Sequence, residues 1–140
     1  MKRWIRMGAV VLAALLFAGR LVAQEPVWQL STHMLDVSAG APAQGVAVTL
    51  FRLSAEGEWT RLAERTTDRN GRVADLLPLA GTHGNDGVYK LRFETEPYFK
   101  ARGEHSIYPF VEVVFRIEGD GHYHIPITMS ANGYATYRGN

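Results

Sequence analysis

Imidazole and guanidinium groups are where chemistry is available in this 140-residue chain, which holds five histidines and no cysteine. Without a thiol, disulfides, iron–sulfur ligation, cysteine nucleophiles and lipid anchors attached through cysteine are excluded. His33 lies in a stretch where apolar Trp28, Leu30 and Met34 alternate with Gln29, Ser31 and His33. In the late stretch, His122 and His124 alternate with Tyr123, Ile125, Ile127 and Met129. Period-2 alternation is the mark of a half-buried strand, so all three histidines point away from the core and onto an outer sheet face. Such a face has no pocket of its own, and a site built on it would lie between subunits. Two other readings attach to the same residues. Taken singly, each is a solvated strand histidine. Taken together, His122 and His124 at i, i+2 point the same way and suit zinc or copper, with His33 as a third ligand.

Arginines form the second set. Arg72 leaves the tight turn Asp68-Arg69-Asn70-Gly71, in which Asn70 and Gly71 are both able to take positive φ. Arg138 stands in the final segment Tyr137-Arg138-Gly139-Asn140. A guanidinium held by a turn presents a planar fork that suits carboxylates, or the carbonyl and imide edges of a flat anionic heterocycle. The alternative is that both are solvated, since chain ends commonly fray.

The elements that must position these groups are short strands. Residues 28–36, 46–53, 59–67, 72–77, 88–93, 110–117 and 122–130 carry strand patterns, and 133–140 reads as a last short strand. Turn compositions at 38–42, 56–58, 68–71, 81–87 and 118–121 separate them. One short helix is predicted at 96–101, with Thr95 as N-cap and Pro97 in its first turn. Seven to eight strands with one short helix predict an all-β sandwich.

That domain does not begin at the first residue. Lys2, Arg3 and Arg6 precede an apolar run at 7–19, and the segment closes on Leu21-Val22-Ala23. This is the build of a secretory signal peptide, shorter than the roughly 20 apolar residues of a spanning helix. Cleavage is expected after Ala23, leaving residues 24–140 as an exported, periplasmic domain free of the membrane. Four of the 15 cations fall in the leader, so 11 basic and 14 acidic side chains remain and the formal net charge moves from +1 to −3. A nucleic-acid partner is not expected at that balance.

Read together, the segments resemble the transthyretin-related family and, within it, the 5-hydroxyisourate hydrolase branch. The matching pieces are LSTHMLD at 30–36 followed by GAPA at 40–43, Thr67 with Asn70-Gly71-Arg72, Tyr98-Phe99, Tyr108-Pro109, HYHIP at 122–126 and GYATYRG at 133–139. His33, the HYHIP stretch and the terminal Tyr-Arg-Gly favour the hydrolase branch over the hormone carriers. The sequence departs from the usual pattern with Asn140 in place of Ser, Ala131-Asn132 in place of a Pro-aromatic pair, and Ala135 in place of Ser.

The resemblance implies a transthyretin-like β-sandwich that assembles as a homotetramer, with sites in a channel where two dimers face each other. It implies hydrolytic ring opening of 5-hydroxyisourate, a step of urate and purine breakdown, without a metal or cofactor. His33, Arg72 and His124 are implied as catalytic. Arg138, Tyr137, Gly139 and Asn140 are implied to bind substrate, and His122 to be an ordinary neighbour. In this scheme His124 is the general base, His33 orients the water or protonates the leaving nitrogen, and the two arginines fix the ring. The alternative from another class is a non-catalytic transthyretin-like module that holds a small ligand in the channel.

Overall fold

The computed structural model describes residues 23–140, so the expected leader lies outside the described residues except for Ala23. The chain order is β1 (Trp28–Asp36), β2 (Ala41–Pro42), β3 (Ala47–Leu53), β4 (Trp59–Thr66), β5 (Arg72–Pro78), β6 (Gly87–Phe93), α1 (Thr95–Lys100), β7 (Val111–Ile117), β8 (Tyr123–His124), β9 (Ile127–Ser130) and β10 (Gly133–Thr136).

Alternation in the sequence becomes layering in space. Val48 and Leu50 on β3, Tyr89, Leu91 and Phe93 on β6, and Ile117 on β7 are buried from one sheet. Leu30 and Met34 on β1, Leu76 on β5, and Ile127 and Met129 on β9 meet them from the other. Each such side chain contributes about 1.5–3 kcal/mol through burial, which holds the two sheets face to face. The first sheet is antiparallel in the order β4-β3-β6-β7. In the second, β1 is central. β5 runs antiparallel to it on one flank, and β8 and β9 run parallel to it on the other, with β10 outside β9. The two-sheet sandwich and its short helix follow the sequence expectation, with eight strands of four residues or more among the described residues.

Four local expectations are corrected. Gln29, placed by alternation on the polar face, is 2% exposed; β1 shifts register between Trp28 and Leu30 and turns the amide inward. There its Nε2 donates to the carbonyls of Gly119 and Gly121, and its Oε1 accepts from Asn85. The predicted 122–130 strand is broken at Ile125-Pro126, because proline has no N–H to give the ladder. Thr95 is the first helical residue rather than its cap: it packs inward at 1% exposure, and its hydroxyl has no hydrogen-bond partner among the described residues. In the turn before β5, Gly71 alone takes the left-handed conformation, at φ 71°. Asn70 does not.

Candidate active site

The central strand β1 carries Ser31 and His33, two residues apart on the face turned away from Leu30 and Met34. Its antiparallel neighbour β5 sets Arg72 opposite His33, and its parallel neighbour β8 sets His124 opposite Ser31. Three strands distant in sequence thereby place two imidazoles and one guanidinium on one patch.

The turn that presents Arg72 is held at several points. Asp68 Oδ1 accepts from the backbone N–H of Asn70 at 2.8 Å and of Arg72 at 2.9 Å. Gly71 N–H donates to the Asp68 carbonyl at 2.9 Å, and Met34 N–H donates to the Gly71 carbonyl at 2.8 Å. A Cβ at position 71 would collide with the Met34 carbonyl, so glycine is required there for space as well as for its positive φ. The Arg72 and Asn70 amides that fix the turn also hold the Asp68 carboxyl below its ordinary pKa.

The histidines are tied to the backbone and to each other. Ser31 Oγ lies 2.8 Å from His122 Nε2 and 2.8 Å from His124 Nδ1, while His122 Nδ1 lies 3.0 Å from the Trp28 carbonyl. Behind them, Thr32 Oγ1 donates to the Ile125 carbonyl at 2.7 Å and Ile125 N–H donates to the Ser31 carbonyl at 3.0 Å, locking the break between β8 and β9 against β1. Burial lowers the pKa of His124 most, and the Arg72 cation, His33 and His122 lower it further. Burial and Arg72 likewise lower His33, against opposition from a backbone hydrogen bond with Asn70 and from Asp68. Both imidazoles are therefore held in the neutral, proton-accepting form near pH 7.

The chain terminus closes on the same strand. Gly139 N–H donates to the His124 carbonyl at 2.8 Å, forming an isolated antiparallel bridge. A Cβ at position 139 would stand 2.6 Å from His124 Cδ2, so a larger residue would displace the ring. The Arg138 side chain turns away from the histidines. Arg138 sets its guanidinium over the Tyr123 ring, 4.2 Å from the centroid, and Tyr123 is on the opposite face of β8 from His124. Tyr137 is 58% exposed, and Asn140 is also exposed.

The strand register thus sets His33, Arg72 and His124 on one patch, with Gly139 bonded to the His124 backbone, while the Arg138 side chain stacks on Tyr123 instead. Ser31 is the member that sequence reasoning passed over, although its place two residues before His33 already put it on the same face. Among the described residues no cluster of three or more His, Cys, Asp or Glu is arranged to hold a metal ion. Neutral imidazoles beside a fixed guanidinium are equipped to take a proton from water while negative charge develops next to the cation.

Comparison with known proteins agrees in sequence and in architecture. The family model described as HIUase/Transthyretin matches residues 30–139. A 5-hydroxyisourate hydrolase of Mus musculus is 43% identical over 113 residues, covering 79% of this chain and 94% of the mouse protein. The solved 5-hydroxyisourate hydrolase of Klebsiella pneumoniae is 38% identical, with a TM-score of 0.65 over 79% of this chain and 98% of its own. Sea bream transthyretin, solved in complex with thyroxine, is 30% identical, with a TM-score of 0.73 over 79% of this chain and 94% of its own. With its sandwich topology, a family match spanning nearly all the described residues and relatives at this level of identity, the chain belongs to the HIUase/transthyretin family.

Proposed function

We propose that this chain is a 5-hydroxyisourate hydrolase, opening the six-membered ring of its substrate by attack of an activated water. The observation that carries this reading is the convergence of His33, Arg72 and His124 on one face, with both imidazoles biased toward the neutral form. Relatives that share over a third of the sequence and carry the hydrolase name support the same reaction.

In this reading His124 takes a proton from water as its oxygen attacks a ring carbonyl. Arg72 sits beside the oxygen on which negative charge grows. When the carbon–nitrogen bond breaks, the carbonyl carbon ends as a carboxylate that gives its second proton to solvent, and the leaving nitrogen receives the proton His124 took from water, with neutral His33 placed to orient the water or relay that proton. Gly139 holds the terminus on His124, and Arg138 stacks on Tyr123 on the other face of the same strand. A protonated histidine beside Arg72 would meet like charge, which favours release of the proton to the leaving nitrogen.

Ultraviolet monitoring of freshly generated 5-hydroxyisourate tests the proposal. The wild-type chain accelerates its decay over the spontaneous rate, and His124→Ala and Arg72→Glu each lower that rate by about 10²-fold or more, the scale of a lost acid–base or oxyanion group. Binding without acceleration would instead identify a ligand-holding module.

We also propose that the active form is an exported homotetramer. Export is supported by the basic start, the apolar run and the small residue at position 23. Mass spectrometry of the protein recovered from the periplasm should give a mature N-terminus at Gln24; an intact Met1 in active, cell-retained protein would refute export.

A further inference from the structure

We propose that Ser31 and His122 are a positioning pair that fixes the tautomer of His124, leaving Nε2 of His124 as the proton acceptor. This rests on the reading of His124 as the base. The three contacts form one chain: Trp28 carbonyl to His122 Nδ1 at 3.0 Å, His122 Nε2 to Ser31 Oγ at 2.8 Å, and Ser31 Oγ to His124 Nδ1 at 2.8 Å.

While the imidazoles are neutral, that chain has only one polarity. A carbonyl oxygen has no proton to give, so His122 Nδ1 carries the hydrogen and donates it to Trp28. A neutral imidazole has one N–H, so His122 Nε2 is a lone pair and accepts from the Ser31 hydroxyl. The single hydroxyl proton is then used, and Ser31 Oγ meets His124 with lone pairs alone. His124 Nδ1 therefore carries its hydrogen toward Ser31, and its Nε2 is the free base. Nothing in the chain remains to be chosen once the Trp28 carbonyl is placed at its end. Uptake of a proton at Nε2 leaves the Nδ1–H bond to Ser31 in place, so the ring need not reorient during the reaction. The site thus orients its base through a hydroxyl and a second imidazole, where other sites use a carboxylate.

The test uses the full chain labelled with ¹⁵N-histidine at pH 8, above the ordinary imidazole pKa of about 6.5. In wild type, His124 should show a protonated Nδ1 and an unprotonated Nε2. Ser31→Ala should mix the two tautomers and lower kcat by about 10-fold or more, within the range for lost orienting partners, with KM changed less than about 2-fold. His122→Phe fills the ring volume without nitrogens and should do the same. Ser31→Thr keeps the hydroxyl, and His122→Gln offers an amide oxygen near the Nε2 position; both should recover most of kcat and the Nδ1–H form. A wild-type His124 protonated at Nε2 overturns the proposal, as does a Ser31→Ala protein with wild-type kcat. Failure of the underlying reading looks different: His124→Ala would then turn over at the wild-type rate, whatever tautomer the spectrum shows.

Discussion

His124 is a base only while it is neutral, and its surroundings are arranged to keep it so. Burial, Arg72, His33 and His122 all push its pKa below the ordinary 6.5, in that order. The acid limb of kcat/KM, which reports the free protein's essential base, is therefore expected below pH 6.5. Arg72→Gln removes the strongest of the neighbouring charges and should move that limb upward, and this shift is measured independently of the fall in rate the variant also suffers. A limb at or above 6.5 in wild type, or one that stays put in Arg72→Gln, would separate His124 from the observed titration. The same shifts bear on stability. With folded-state values depressed for His33 and His124, the unfolded chain takes protons first as pH falls below 6.5. Denaturation midpoints should consequently decline as pH falls from about 6.5 through the lower folded-state values, rather than on the alkaline side.

At the level of strands, what the sequence discloses depends on whether a feature is local. The bounds of β1 are those predicted, and β3, β6 and β7 agree to one residue, because two-residue alternation is set by which side chains meet the core. The faces of His33 and His124 follow from the same period. Their meeting does not. It requires β8 and β9 to run parallel to β1 across a separation of 93 residues, and nothing in either segment states its partner or direction. Ser31 was legible as a neighbour of His33 but not as a partner of His122 and His124, since that contact exists only in this register. Gln29 misled for a related reason: a single register shift reverses inside and outside. At Thr95 local capping preference gave way to tertiary packing, and Glu94 takes the cap position without a side-chain bond. The terminal motif was recognisable as a unit, yet its geometry, Gly139 on the His124 strand and Arg138 on the far face, comes from the bridge and from stacking on Tyr123.

A single protomer holds the proposed reacting groups but leaves them on an outer sheet face. Imidazole and guanidinium stabilise a transition state most strongly where water is excluded, and in the proposed tetramer other copies supply the walls for that. A second feature points the same way. Among the described residues β7 ends its sheet, pairing with β6 alone, and Val114 at its middle is 58% exposed between Val113 and Phe115. An unpaired edge is a surface that another strand can extend, and because the exposed face of β7 also carries Glu112 and Arg116 on either side of Val114, a second strand must match those charges as well as cover the valine. Close by, Tyr137 adds exposed aromatic surface beside Val114 and Arg138. Pairing of β7 edges would make dimers, and two dimers meeting over their histidine faces would cover the sites, giving the proposed tetramer. Val114→Lys should then shift the protein to smaller species in analytical ultracentrifugation while leaving the β-sheet circular dichroism of the sandwich intact. Specific activity per chain should fall with it, although Val114 touches none of the reacting groups. Dilution of the wild type should reproduce that loss at the concentration where the assembly dissociates, because a fold stabilised and completed by its partners depends on protomer concentration. A monomer that keeps full activity per chain under dilution would show that the open face is sufficient, and the tetramer would then have no part in the chemistry.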